Sequence, residues 1–156
     1  MTRTVDLQTR LDCTPEEAWA RVRTSALLDY VAAPLIVFRP SGERSFPRVW
    51  TESEYRAWMW LGGVLPIGWQ AIGIEFPESE PGRYVVRDNG HGPLIRRWDH
   101  WIVIESDGEG DALYRDIVHI DAGMLTPLVA GFARLFYAHR QRRWRALVKD
   151  GFAPLS

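Results

Sequence analysis

The sequence contains one cysteine, Cys13, and one lysine, Lys149. A lone thiol excludes an intramolecular disulfide and any zinc site built on paired cysteines, and it points to a reducing compartment, the cytoplasm. The 19 Lys and Arg stand against 20 Asp and Glu for a formal charge of −1, so no positive excess recommends nucleic acid as a partner. Long apolar runs are missing as well. Nothing approaches the roughly 18 consecutive apolar residues of a membrane span, and "MTRTVDLQTRLDC" lacks the apolar core of a signal peptide. Stable membrane insertion is not expected. There is no phosphate-binding glycine loop, nucleophile elbow or "HExxH", and "DGEGD" is a turn and lacks a full calcium loop. His91, His100, His119 and His139 lack close metal-ligand spacing, so neither a metal nor a cofactor is expected.

Aromatic residues, in contrast, are plentiful. Eight Trp, five Tyr and six Phe in 156 residues supply more aromatic surface than packing ordinarily uses, which suggests that some of it lines a site. The length suits one domain, 1–156, large enough to bury about 70% of the surface of its unfolded chain.

The order of elements follows from hydrophobic period. Val5, Leu7, Thr9 and Leu11 alternate with polar residues as in a half-buried strand. In "TPEEAWARV", Thr14 can cap a helix, Pro15 suits its first position and Glu17 completes a capping box. A second short helix spans about 25–31 and stops at Pro34. From 35 to 121 the pattern is strands and turns: "LIVFRP", a loop "SGERSFP", "EYRAWMWLGG", "WQAIGIEF", "RYVVRDN", "LIRRWDHWIVIE" and "ALYRDIVHID". Between them lie "PESEPG", "NGHGP" and "SDGEGD", rich in turn formers. The period then changes to 3.6 residues, with Leu125, Leu128, Val129, Phe132, Leu135 and Phe136 predicting an amphipathic helix over 124–148. One such helix is the only element available to cover the apolar face of a six- or seven-stranded sheet.

This order, with "TPEEAWARV" after the first strand, "LPIGWQAIGIEF" in mid-sheet, "RRWDHWIVIE" and the terminal "LFYAHRQRRWRAL", resembles the START-like helix-grip (SRPBCC) superfamily, which includes polyketide cyclase-like, lipid-transport-like and pollen-allergen-like proteins. The resemblance covers about 5–148. It implies an α+β fold in which a curved antiparallel sheet wraps round a long C-terminal helix, with two short helices after strand 1. It further implies a cavity for a hydrophobic ligand such as a lipid, polyketide or aromatic molecule. The superfamily has no shared catalytic signature, and fold likeness by itself names no reaction.

Candidate residues come from strand parity. In "RRWDHWIVIE" the even positions Trp98, His100, Ile102 and Ile104 form the more apolar face, so His100 points inward and Asp99 outward. In the next strand Tyr114, Asp116, Val118 and Ile120 are the better interior face. A short turn at "SDGEGD" then puts His100 opposite Asp116, or opposite Tyr114 or Val118 if the register slides by two. Such a pair is either a general acid/base couple or a core histidine with a satisfied hydrogen bond.

In "YRAWMWLGGVLPIGW", Arg56, Trp58 and Trp60 share one face while Tyr55, Met59 and Leu61 share the other, and either could line a cavity. Arg56 is taken as a candidate for greeting a ligand carboxylate, with Trp58, Trp60, Trp98 and Tyr114 as aromatic contacts. Its alternative is to snorkel over a tryptophan into solvent. Val64, Leu65 and Ile67, too apolar for a free loop, cover either a cavity mouth or a subunit contact. On the last helix Leu125, Val129, Phe132 and Phe136 face the sheet, with His139 near the same stripe. The basic end formed by Arg140, Arg142, Arg143, Arg145 and Lys149 reads as solvated.

Three functions are therefore expected, in descending order. The first is binding of a small hydrophobic or amphipathic ligand by a monomer or homodimer. The second is a cyclase, dehydratase or isomerase using His100 with Asp116. The third is a protein-interaction module.

Overall fold

The computed structural model describes residues 1–42 and 45–155. Glu43 and Arg44, in the middle of the expected loop at 41–47, and the final Ser156 lie outside the described residues. Seven strands occur, Arg3–Leu11 (β1), Ile36–Pro40 (β2), Ser53–Leu61 (β3), Leu65–Glu75 (β4), Tyr84–Gly90 (β5), Arg97–Ser106 (β6) and Ala112–Asp121 (β7). Pro15–Val22 (α1) and Ser25–Ala32 (α2) follow β1, and Thr126–Lys149 (α3) closes the chain. The strands form one antiparallel sheet in the order β1-β7-β6-β5-β4-β3-β2. This is the expected α+β helix-grip architecture. The helix begins two residues later than the spacing predicts, because Gly123–Leu125 forms a separate 3-10 turn before α3.

Local chemistry explains the boundaries. The Thr14 hydroxyl accepts from the Glu17 amide at 3.1 Å, and the Glu17 carboxylate accepts from the Thr14 amide at 2.9 Å. This box satisfies two of the orphan donors that open α1 and is typically worth about 1 kcal/mol. At the start of α3, the buried Thr126 hydroxyl donates to the Gly123 carbonyl at 2.6 Å and accepts from the Ala122 amide at 2.9 Å. It fixes how the helix leaves the sheet.

The core is divided along α3. Around its C-terminal half, Trp144 and Leu147 pack with Leu11, Leu27, Ile104 and Tyr114, all nearly or fully buried. Around its N-terminal half, Ala133, Phe136 and Tyr137 meet Val5, Ile36, Val118 and Ile120. The helical stripe thus differs from the one expected. Leu125 and Leu128 are exposed, while Tyr137, Arg140, Gln141 and Trp144 are buried. The continuation Phe136, Arg140, Trp144 keeps the i, i+4 spacing but passes through a charged residue.

The β4–β5 seam is the thinnest in the sheet. Only Ile74↔Asp88 and Glu75↔Arg87 are paired there, with a single bridge from Ala71 to His91 beyond. Between these points the Gly73 amide donates to the Asp88 carboxylate at 2.9 Å instead of to a main-chain carbonyl. A side chain at Gly73 has no room, since its Cβ would stand 2.7 Å from the Asn89 carbonyl oxygen.

Candidate functional site

Between the inner face of the sheet and the N-terminal half of α3 lies a cavity of about 340 Å³. Its walls follow from strand alternation. Met59 and Leu61 of β3, Ile67 and Ile72 of β4 and Trp98 of β6 point inward, and Val129, Phe132 and Phe136 face them from α3. Leu94, in the loop before β6, and Leu128, on α3, line the cavity yet are themselves solvent-exposed, which places them at its mouth. The Phe132 and Phe136 rings stack at 5.9 Å, and the Trp98 indole donates to the Tyr137 hydroxyl at 2.9 Å.

Polar groups also line the cavity: Gln70, Asp88, His100, Tyr137 and Arg140. A second void of about 50 Å³ shares Asp88, His100 and Arg140 with the first, so these side chains stand between the two. His100 is buried, and its Nε2 lies 2.7 Å from the Asp116 carboxylate. Asp116, fully buried behind it, also accepts from the Tyr114 hydroxyl at 3.2 Å and from Gln141 at 3.0 Å. Burial lowers the basicity of His100 more than Asp116 restores it, so the neutral imidazole is favoured. A neutral ring that donates from Nε2 to Asp116 keeps Nδ1 as an unprotonated base.

Asp88 is not singled out by the sequence reading, and Arg140 is placed by it in the solvated basic end. Asp88 is paired across β5–β6 with His100, so both side chains emerge on the inner face. Burial pushes its carboxyl up to about 7, against the opposing pull of the Gly73 amide and Arg140. Arg140 is only 5% exposed. Burial works against its charge, but Tyr114, Tyr137 and Asp116 outweigh that and keep the guanidinium protonated.

The two faces of the sheet sort the remaining candidates. Trp98, Val129, Phe132 and Phe136 line the cavity, and His100 does so with Asp116 behind it. Arg56, Trp58 and Trp60 lie on the outer face, because Tyr55, Ala57, Met59 and Leu61 take the inner one. Their expected place in the cavity is corrected accordingly. Arg56 sits over the Trp69 ring at 4.1 Å, the snorkelling alternative. Tyr114 faces inward but is sealed against Trp144, with ring centroids 5.0 Å apart, and does not reach the cavity.

The β6–β7 register is the one slid by two: His100 is opposite Val118 and Asp116 is opposite Ile102, so the 2.7 Å contact is diagonal. Asp99 turns outward as expected but is buried there. Burial raises its pKa, yet a bidentate Arg87 and a second hydrogen bond from Arg97 hold it below the usual carboxylate range. Arg140 is corrected too, since it does not belong to the solvated basic end. Among the described residues no group of His, Cys, Asp and Glu is arranged to hold a metal, and no helix is long and apolar enough to cross a membrane.

The model of a domain of unknown function, DUF8410, matches residues 9–148. No curated protein matches the sequence. Among solved structures, a START superfamily protein from Mycobacterium smegmatis is similar with a TM-score of 0.63 at 12% identity, covering 94% of this chain and 97% of that one. A protein from Chromobacterium violaceum gives 0.62 at 16% identity, covering 93% and 96%. A protein from Thermus thermophilus gives 0.63 at 10% identity, covering 96% and 99%. At such identities the likeness is one of fold, and the fold is START-like.

Proposed function

This chain belongs to the DUF8410 family, a domain of unknown function, and we propose that it binds a small hydrophobic or amphipathic molecule between the sheet and α3. The observation that carries the reading is the cavity itself. At about 340 Å³ it falls within the roughly 300–1,000 Å³ of small-molecule sites, with the expected apolar walls and few placed polar groups. A filled interior would have favoured a protein-interaction module. Of the expected classes, lipid, polyketide and aromatic molecule, the volume favours the most compact. The setting belongs to the same proposal: a cytoplasmic monomer or homodimer, in which burial pushes the Cys13 thiol up to about 11 and keeps it unreactive.

Native mass spectrometry of the purified protein, followed by solvent extraction, tests the reading. A co-purified hydrophobe at near one copy per chain, or saturable uptake of an added one, is the expected result. A chain that carries nothing and takes up no apolar probe ends it.

A second reading is favoured by one distance, the 2.7 Å between His100 and Asp116. In it the protein is a cyclase, dehydratase or isomerase. His100 Nδ1 removes a proton from a carbon acid in the cavity, Asp116 stabilises the imidazolium that forms, and Asp88, with a pKa near neutrality, is placed to return a proton. His100→Asn separates the two readings. Unchanged ligand affinity with no turnover to lose leaves a binding protein, whereas loss of turnover at unchanged affinity identifies an enzyme.

A further inference from the structure

The Arg140 guanidinium is a buried charge that borders the cavity. Its Nε is buried without a hydrogen-bond partner, and it makes no ion pair with a described residue. The carboxylates around it are already engaged. Asp116 receives His100, Tyr114 and Gln141, and one oxygen of Asp88 receives the Gly73 amide. Besides Tyr114 and the Asp116 charge, aromatic rings face the guanidinium, Tyr137 at 5.2 Å and Phe136 at 5.8 Å. These contacts keep it protonated without supplying an ion pair. The same chain neutralises Arg87 fully, with a bidentate bond to Asp99 on the outer face. Arg140 has instead been left open where it borders the cavity.

Gln70 repeats the pattern. It is 7% exposed, lines the same cavity and keeps its Nε2 unpartnered. Every buried side-chain polar atom without a partner among the described residues is an N–H donor: Gln70 Nε2, Arg140 Nε and Trp144 Nε1. Buried donors left unpaired are costly, and they are complemented by a group that only accepts.

We propose that the ligand of this cavity carries a single carboxylate, seated on Arg140 with Gln70 as a further donor, its apolar body extending along Phe132 and Val129 to the mouth at Leu128. This rests on the cavity being a ligand site and specifies what it selects. At about 30 Å³ per heavy atom, judged from liquid water, the volume holds a molecule of about eleven heavy atoms, so the acid is compact. The proposal includes a pH response. The groups facing Asp88 are Arg140 and Tyr137 from α3 and His100 from β6, with Asp116 behind His100 and Asp99 beyond on the outer face. With Asp88 neutral, Arg140 is free to take the ligand's charge. With Asp88 ionised, Arg140 is partly compensated and the incoming carboxylate is repelled. Affinity for the acid therefore falls as pH rises through neutrality.

The test uses a pair of probes of one shape and different charge, trans-cinnamate and trans-cinnamamide, titrated calorimetrically into the full chain at pH 6.5. The wild type should bind the acid at least tenfold more tightly than the amide. Arg140→Gln should abolish that preference while leaving amide affinity within about threefold. Gln70→Leu, which keeps Arg140 and is the second variant should Arg140→Gln fail to fold, should weaken the acid more than the amide. Between pH 6.5 and 8.5 the acid should lose affinity and the amide should not, with the slope flattened in Asp88→Asn. If the amide binds as tightly as the acid, the carboxylate proposal is overturned and the cavity remains a ligand site. If neither probe binds nor is taken up by protein stripped of endogenous ligand, the cavity reading falls and the proposal with it.

Discussion

The two ends of α3 are packed to different standards. Around the C-terminal half, Trp144 and Leu147 are sealed by Leu11, Leu27 and Tyr114, and the interior is filled. Around the N-terminal half, Val129 and Phe132 are only partly buried and border about 340 Å³ of open space. Arg140, Gln141 and Tyr137 mark the boundary, together with the His100–Asp116 pair. One helix thus anchors the fold at one end and forms a wall at the other. Stability and recognition are separable along its length, because close packing rewards every contact whereas a cavity forfeits contacts to leave room.

The contrast can be broken most directly at the filled end. Trp144→Ala removes a fully buried indole and should cost roughly 3–5 kcal/mol in urea unfolding. A loss below about 1 kcal/mol would mean that this end is not the anchor. At the boundary, Asp88 sets a pH dependence. Its folded pKa of about 7 lies above the ordinary 3.8, so the folded state holds the proton longer than the unfolded one. The sign follows: its contribution is fully present below about pH 4, is lost as pH rises to 7, and is constant above that. Asp88→Asn should match the wild type near pH 4 and exceed it above pH 7 by at most about 4 kcal/mol. Parallel stability curves for the two proteins would show that the carboxyl is not enclosed.

At the hollow end, Phe132→Ala should cost only about 1 kcal/mol, since the ring is only partly buried and borders open space, yet weaken ligand binding by tenfold or more. Equal losses in Phe132→Ala and Trp144→Ala would erase the distinction between the ends. The smallest effect is expected outside both. Trp58→Ala, on the outer face of β3, should stay within about 0.5 kcal/mol in stability and leave ligand affinity unchanged, as measured in the same titrations.

Legibility followed the same division. Alternation in β6 and β7 was enough to turn His100 and Asp116 inward and Asp99 outward, because the two faces of these strands differ in polarity. It was not enough to choose the register, since a slip of two leaves every face unchanged. In β3 both faces are apolar, so parity could not select between Met59 and Trp58, and the bulky aromatic set was taken for the cavity. Arg140 was hidden by its neighbours. In a run containing Arg142, Arg143 and Arg145, one inward arginine looks like part of a solvated end, and only its position four residues after Phe136 and four before Trp144 distinguishes it. Asp88, the penultimate residue of the strand segment "RYVVRDN", carries no sign in the sequence of which face it takes. What sets it apart is a missing stretch of main-chain ladder, which is a tertiary fact.

That gap in the β4–β5 seam ties the backbone to the cavity. The Gly73 amide donates to a carboxylate that changes protonation near neutral pH, and a charged acceptor binds the proton more strongly than a neutral one. The Gly73 proton resonance should therefore move with pH and with ligand, in the frequency dimension of an ordinary amide NMR spectrum. One backbone amide of the sheet thereby reports the charge carried by Asp88.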